Sequence, residues 1–109
     1  MRAWEIFSYD PGFGDHPVVI VSHPKRVAHK TQVEVLLCSS QRANRPADQN
    51  EVMLDSADGL DWETLCKCDL IHSVEKSELH SFRGTVTKHR RRQIVSAIIR
   101  CHGWDSIES

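Results

Sequence analysis

The sequence predicts a mainly β domain, a small barrel of about five to six strands closed by a helix near residues 87–102. Short β-branched and apolar runs recur along the first three-quarters of the chain. Gly, Pro, Asn and Asp stand between them, as turn chemistry requires. After Thr87 the apolar period lengthens to helical spacing.

Trp4 to Tyr9 alternates large and polar residues and reads as a first strand with both faces in use. Asp10-Pro11-Gly12-Phe13-Gly14-Asp15 is a turn, and Val18 to Val21 is a short buried strand completing a hairpin. Pro24 to Thr31 reads as a polar loop. Val33 to Leu37 is a third strand running into Cys38-Ser39-Ser40-Gln41, and a hydrophilic loop follows from Arg42 to Gln49. Glu51 to Leu54 makes a fourth strand. Asp58-Gly59 marks a turn, and Asp61 to Thr64 reads as a single helical turn. Leu65 to Val74 is a fifth strand. Strict alternation puts Leu65, Lys67, Asp69 and Ile71 on one face, and Cys66, Cys68, Leu70 and His72 on the other. Thr87 suits an N-cap, and Gly103 is placed to end the helix. Ile94, Ala97, Ile98 and Cys101 form the stripe that meets the barrel, leaving Arg90, Arg91 and Arg92 outward.

A chain of 109 residues has room for one domain, residues 1–109. Its core is small, which favours a second chain packed against it. With 39% hydrophobic and 27% charged residues, wholesale disorder is excluded. The net charge of −1 does not mark a nucleic-acid binder by itself. The charge is uneven, however: Arg83, Lys88, Arg90, Arg91, Arg92 and Arg100 share a segment without a carboxylate. No stretch approaches the roughly 18 apolar residues of a membrane span, so a cytoplasmic location is expected. Four cysteines are then read as reduced. Cys66 and Cys68 stand two apart rather than at zinc-knuckle spacing, so a site with His72 is rejected and no metal or cofactor is expected.

Reactive groups gather beside strand ends: Asp15-His16 after the first turn, Ser39-Ser40-Gln41-Arg42 after the third strand, Asp69 and His72 on the fifth. Cutting RNA without a metal needs a base for the ribose 2′-OH and a proton for the leaving 5′-oxygen. It also needs donors to steady the charge on phosphorus. His serves either proton role, and Ser, Arg and carboxylates can supply the rest. Taken singly, each residue has an ordinary role: a turn histidine, strand-end hydroxyls, a paired structural carboxylate.

Read in order, these stretches resemble the MazF/PemK toxin family of type II toxin–antitoxin pairs. The resemblance runs from Trp4-Glu5-Ile6-Phe7 through His16-Pro17-Val18-Val19-Ile20-Val21-Ser22 and Cys38-Ser39-Ser40-Gln41. It continues through Gly59-Leu60, Cys68-Asp69-Leu70-Ile71, Val74-Glu75-Lys76-Ser77-Glu78-Leu79 and Gly84-Thr85-Val86-Thr87. It implies an SH3-like barrel, normally a homodimer. The implied activity is metal-independent endoribonuclease action on single-stranded RNA such as mRNA, inhibiting growth until a cognate antitoxin neutralises it. The family's catalytic Thr falls on Ser39, which keeps the hydroxyl, and its strand Asp on Asp69. Its Arg before the Pro falls on His16, where imidazole replaces a permanent cation. The resemblance thus implies His16, Ser39 and Asp69 as catalytic residues, and Ser40, Gln41, Arg42 and His72 are the expected substrate contacts beside them. The alternative is a catalytically silent module on the same barrel that blocks a protein such as gyrase, or binds only antitoxin or RNA.

Overall fold

Val18, Val19 and Ile20 are consecutive, yet none has exposed surface. A strand buried on both faces requires a sheet covered on both faces. The computed structural model describes residues 1–106 and shows that arrangement. Strands β1 (Glu5–Tyr9), β2 (His16–Ile20), β3 (Gln32–Cys38), β4 (Glu51–Leu54), β5 (Thr64–Glu75) and β6 (His80–Thr85) form one curled antiparallel sheet. Their order is β4-β5-β3-β2-β1-β6. Helix α1 (Pro24–His29) joins β2 to β3, and helix α2 (Lys88–Cys101) follows β6. The expected architecture of a small β fold closed by a C-terminal helix is the one found.

One face buries Ile6, Val19, Leu36, Cys38, Val52, Leu54, Cys66 and Cys68 against Ile94, Ala97 and Ile98 of α2. The other buries Val18, Ile20, Val33, Val35 and Val74 beneath Val27 of α1, with Phe7, Tyr9, Leu37 and Leu79 at its margin. Period-two alternation distributes neighbouring residues of β2 and β3 between the two cores.

The ladder between β3 and β5 contains the principal irregularity. Leu36 pairs with Ile71 and Cys38 with Cys66, so two residues of β3 oppose five of β5. The surplus is odd, so the alternation changes sides within Lys67–Leu70. Ile71 therefore packs on the α2 side with Cys66 and Cys68, not on the side of Lys67 as uniform alternation predicts. All four cysteines are free thiols, three of them buried in this core.

Three further expectations are corrected. Residues 24–29 form a helix rather than a loop: Pro24 presets the first turn, the His23 ring accepts the Lys25 N–H at 3.1 Å, and Val27 is buried. Residues 61–63 form no helical turn. The short 3₁₀ turn lies upstream, at Ser56–Asp58, capped by Asp55. Arg90 and Arg91 do not face outward. Arg90 reaches Asp55 at 2.6 and 2.9 Å and Asp58 at 2.5 Å, while the Arg91 Nε donates to the Val86 carbonyl at 2.8 Å.

Asp58 ties the helix to the sheet. Its two oxygens accept the Asp55 and Thr87 N–H groups, both at 3.0 Å, so Thr87 starts α2 through its backbone and not through a hydroxyl cap. Beside it Gly59 has φ 95°, and a Cβ on Gly84 would stand 2.0 Å from the Asp58 carbonyl oxygen. Only glycine at 84 lets β6 pass so close. Gly103, at φ 70°, follows the end of α2.

Arg90→Ala leaves the Asp58 carboxylate buried without its cation, which costs about 3–5 kcal/mol. Chemical denaturation should show that loss. A change within experimental error would mean that the ion pair does not hold α2 to the sheet.

Candidate functional site

The β1–β2 turn is organised by one carboxylate. Oδ1 of Asp10 accepts the Gly12 N–H at 2.7 Å and the Gly14 N–H at 3.0 Å. Those bonds, Gly12's first, hold the Asp10 carboxyl below its ordinary range. Asp15 then meets the His80 Nε2 at 3.1 Å, clamping the turn to the start of β6. Phe13 is left exposed, packed edge-on against the His16 ring at 5.2 Å between centroids.

His16 opens β2, and its Nδ1 lies 3.1 Å from the Cys38 carbonyl oxygen. A carbonyl only accepts, so Nδ1 carries the proton and Nε2 is the free acceptor of the neutral ring. Past Cys38 the chain stays stitched to β5. The Ser39 N–H donates to the Leu65 carbonyl at 2.9 Å, and the Ser39 Oγ accepts the Leu65 N–H at 3.0 Å. The same hydroxyl donates a long 3.4 Å bond to the Gln41 carbonyl. Its first duty is therefore to extend the strand pairing, the ordinary role of a strand-end serine.

His16, Leu37, Cys38, Ser39, Ser40, Gln41 and Lys67 line one open hollow of about 350 Å³. Lys67 went unassigned in the sequence reading. Its signal was an ammonium between the buried Cys66 and Cys68, but its partner, Glu51 on β4, is distant in sequence. Its Nζ contacts the Glu51 Oε2 at 2.6 Å, and Arg45 grips both Glu51 oxygens at 2.6 and 2.8 Å. The Arg45 fork first, then the Lys67 ammonium, lowers the Glu51 carboxyl to about 2 despite its burial. The hollow thus combines an oriented imidazole, a cation, a hydroxyl and exposed polar groups.

Four of the expected site residues converge there: His16, Ser39, Ser40 and Gln41. Three do not. Asp69 is exposed in the irregular stretch of β5 and does not line the hollow. Arg42 projects into solvent, 3.6 Å from Glu63. His72 pairs with Val35 further along the β3–β5 ladder. No group of three or more potential metal ligands occurs among the described residues, and none of their helices is long and apolar enough to cross a membrane.

A curled six-stranded antiparallel sheet with a C-terminal helix is the fold that the comparisons with known proteins recover. Residues 8–102 match the family model described as PemK-like, MazF-like toxin of type II toxin–antitoxin system, and the chain belongs to that family. No curated protein sequence matches it. Among solved structures it is similar to an endoribonuclease in complex with its cognate antitoxin from Mycobacterial species. That likeness has 24% identity, covers 94% of this chain and 95% of the other, and has a TM-score of 0.83. It also resembles the Mycobacterium tuberculosis toxin MazF-mt6, with 18% identity, 91% and 95% coverage and a TM-score of 0.77. MazE–MazF of Deinococcus radiodurans is similar at 12% identity, 94% and 95% coverage and a TM-score of 0.73. At these identities the structural likeness speaks for the fold.

The ion network beside the hollow has a pH signature. The folded Glu51 carboxyl lies below its ordinary value, so its stabilisation is full above about pH 5 and drains away as the pH falls toward 2. Denaturation at pH 7, 5 and 3 should show the loss concentrated between pH 5 and 3, with a shallower fall there in Glu51→Gln. Identical slopes in the two proteins would contradict the network's contribution.

Proposed function

We propose that this chain is a toxin endoribonuclease that cuts single-stranded RNA at the hollow, without a metal, and is silenced by a cognate antitoxin. The observation that carries the reading is the convergence of His16, Ser39, Ser40, Gln41 and Lys67 around one concavity, with the imidazole held in a defined tautomer. In the proposed reaction Nε2 of His16 takes the 2′-OH proton, and the 2′-oxygen attacks phosphorus. The bond to the 5′-oxygen breaks, leaving a 2′,3′-cyclic phosphate. The imidazolium returns its proton, through water, to the leaving 5′-oxygen. Lys67 steadies the charge on the phosphoryl oxygens. Ser40 and Gln41 contact the strand, while Ser39 positions Gln41 and the end of β3. Phe13, exposed beside His16, offers a surface for a base. Asp69 is given no part in the chemistry.

The active unit is proposed to be a homodimer of single-domain chains, in keeping with the small core. A second reading, a silent binding module, draws on two observations. The Ser39 hydroxyl is engaged on both sides by backbone, and Asp69 lies outside the hollow.

The test is mixed-sequence RNA incubated with purified protein in EDTA between pH 5 and 8. Cleavage leaving 2′,3′-cyclic phosphate ends is expected, and His16→Ala should slow it by about 10²–10⁴-fold. RNA that stays intact, with binding retained, would establish the silent module instead.

A further inference from the structure

A larger cavity, about 650 Å³, shares no residue with the hollow. It lies between the segment before β1, the end of β2, α1 and the first turn of α2. Its apolar wall is formed by Val21, Pro24, Val27 and Ala28. Trp4 supplies an aromatic surface, and Arg2 and Arg91 supply charge.

Trp4 is held there by its backbone. It sits at φ 71°, a conformation bulky side chains rarely adopt. Its N–H donates to the Ile20 carbonyl at 2.7 Å, and its carbonyl accepts the Val86 N–H at 2.9 Å. The end of β2 and the approach to α2 thus pin both backbone groups, and the indole packs only partly into the core. The Arg91 guanidinium lies 6.0 Å from the indole centroid, its Nε fixed on the Val86 carbonyl at 2.8 Å. Its terminal nitrogens have no hydrogen-bond partner among the described residues, and none of the described lining residues is a carboxylate. Two carboxylates touch lining residues without entering the cavity. Glu34 accepts the Ser22 hydroxyl and is bound by Arg26, and Glu5 accepts the Arg2 backbone N–H.

We infer that this cavity binds a nucleotide, its base against the Trp4 indole and its phosphate between Arg91 and Arg2. A flat apolar ring satisfies the indole and the aliphatic wall, and a phosphate satisfies a guanidinium that is already oriented. A hydrocarbon would leave the arginines unanswered, and a bare anion would leave the wall unused. The site stands apart from the proposed cleavage chemistry and uses none of its residues.

The test uses the full chain carrying His16→Ala, so that no strand is cut during titration. Adenosine 5′-monophosphate, a short single-stranded oligoribonucleotide, inorganic phosphate and an acidic, tryptophan-containing peptide are titrated separately. The Trp4 indole N–H and the Arg91 Nε–H are followed by NMR. Saturable shifts with the mononucleotide or the oligonucleotide are expected, the tighter of the two naming the natural source, with phosphate alone weaker. Arg91→Gln should weaken binding about five-fold or more. Ala28→Trp fills the cavity from the exposed side of α1 and should abolish binding with both arginines intact. Neither nucleotide form shifting these signals would overturn the inference, as would shifts indifferent to both variants. Saturation by the peptide alone would overturn it in favour of a protein partner. Because binding is read without cleavage, an inactive hollow and an empty cavity give different results.

Discussion

The junction where β3 meets β5, at Cys38 and Cys66, is the constraint on which the site depends. β3 ends there, yet Ser39 continues the pairing through its own N–H and hydroxyl to Leu65. The Cys38 carbonyl accepts the His16 Nδ1–H. Opposite, the surplus residues of β5 bring Lys67 to the hollow and leave Asp69 outside it. One local irregularity thus selects which of the strand's polar groups can act together. Bulges commonly re-aim side chains in this way.

The rest of the molecule keeps that junction in place. α2 covers one face of the sheet with Ile94, Ala97 and Ile98, and its first turn is moored by Arg90 to Asp55 and Asp58. Arg90 holds the Asp55 carboxyl down at about 2, so the pair is ionised through the physiological range. Buried ion pairs contribute little net stability against an apolar replacement, but they enforce a geometry because a lone partner is costly. Here the geometry is tight: the Gly84 backbone passes where any side chain would strike the Asp58 carbonyl. The second core, under α1, is smaller and consists mainly of β-branched valines and isoleucine. It supports β2 from the other side and so supports His16 at its start.

The fold was legible because its signals are local. β4 was delimited as found, and the β-branched and apolar runs Val18–Val21 and Val33–Leu37 announced β2 and β3, though β2 ends at Ile20. Helix α2 was readable from the spacing of Ile94, Ala97 and Ile98. What failed was whatever depended on partners distant in sequence. Arg90 and Arg91 lie among consecutive arginines that look solvated until Asp55, Asp58 and Val86 are seen beside them. α1 has one buried side chain, Val27, too few to produce a period. His16, Ser39, Ser40 and Gln41 could be grouped from sequence because strand ends and turns collect reactive groups, and the fold brings those four to one hollow. The placing of Ile71 beside Cys66 and Cys68 was not legible, because uniform alternation cannot foresee an odd surplus in β5.

His16 is held through Nδ1 on the Cys38 carbonyl, which leaves Nε2 to meet a proton. Nitrogen NMR of the histidine rings in the purified protein, at a pH where His16 is neutral, reads that tautomer directly. Protonated Nδ1 and unprotonated Nε2 are expected at His16. A His16 ring protonated at Nε2, or an equal mixture of the two tautomers, would contradict that assignment.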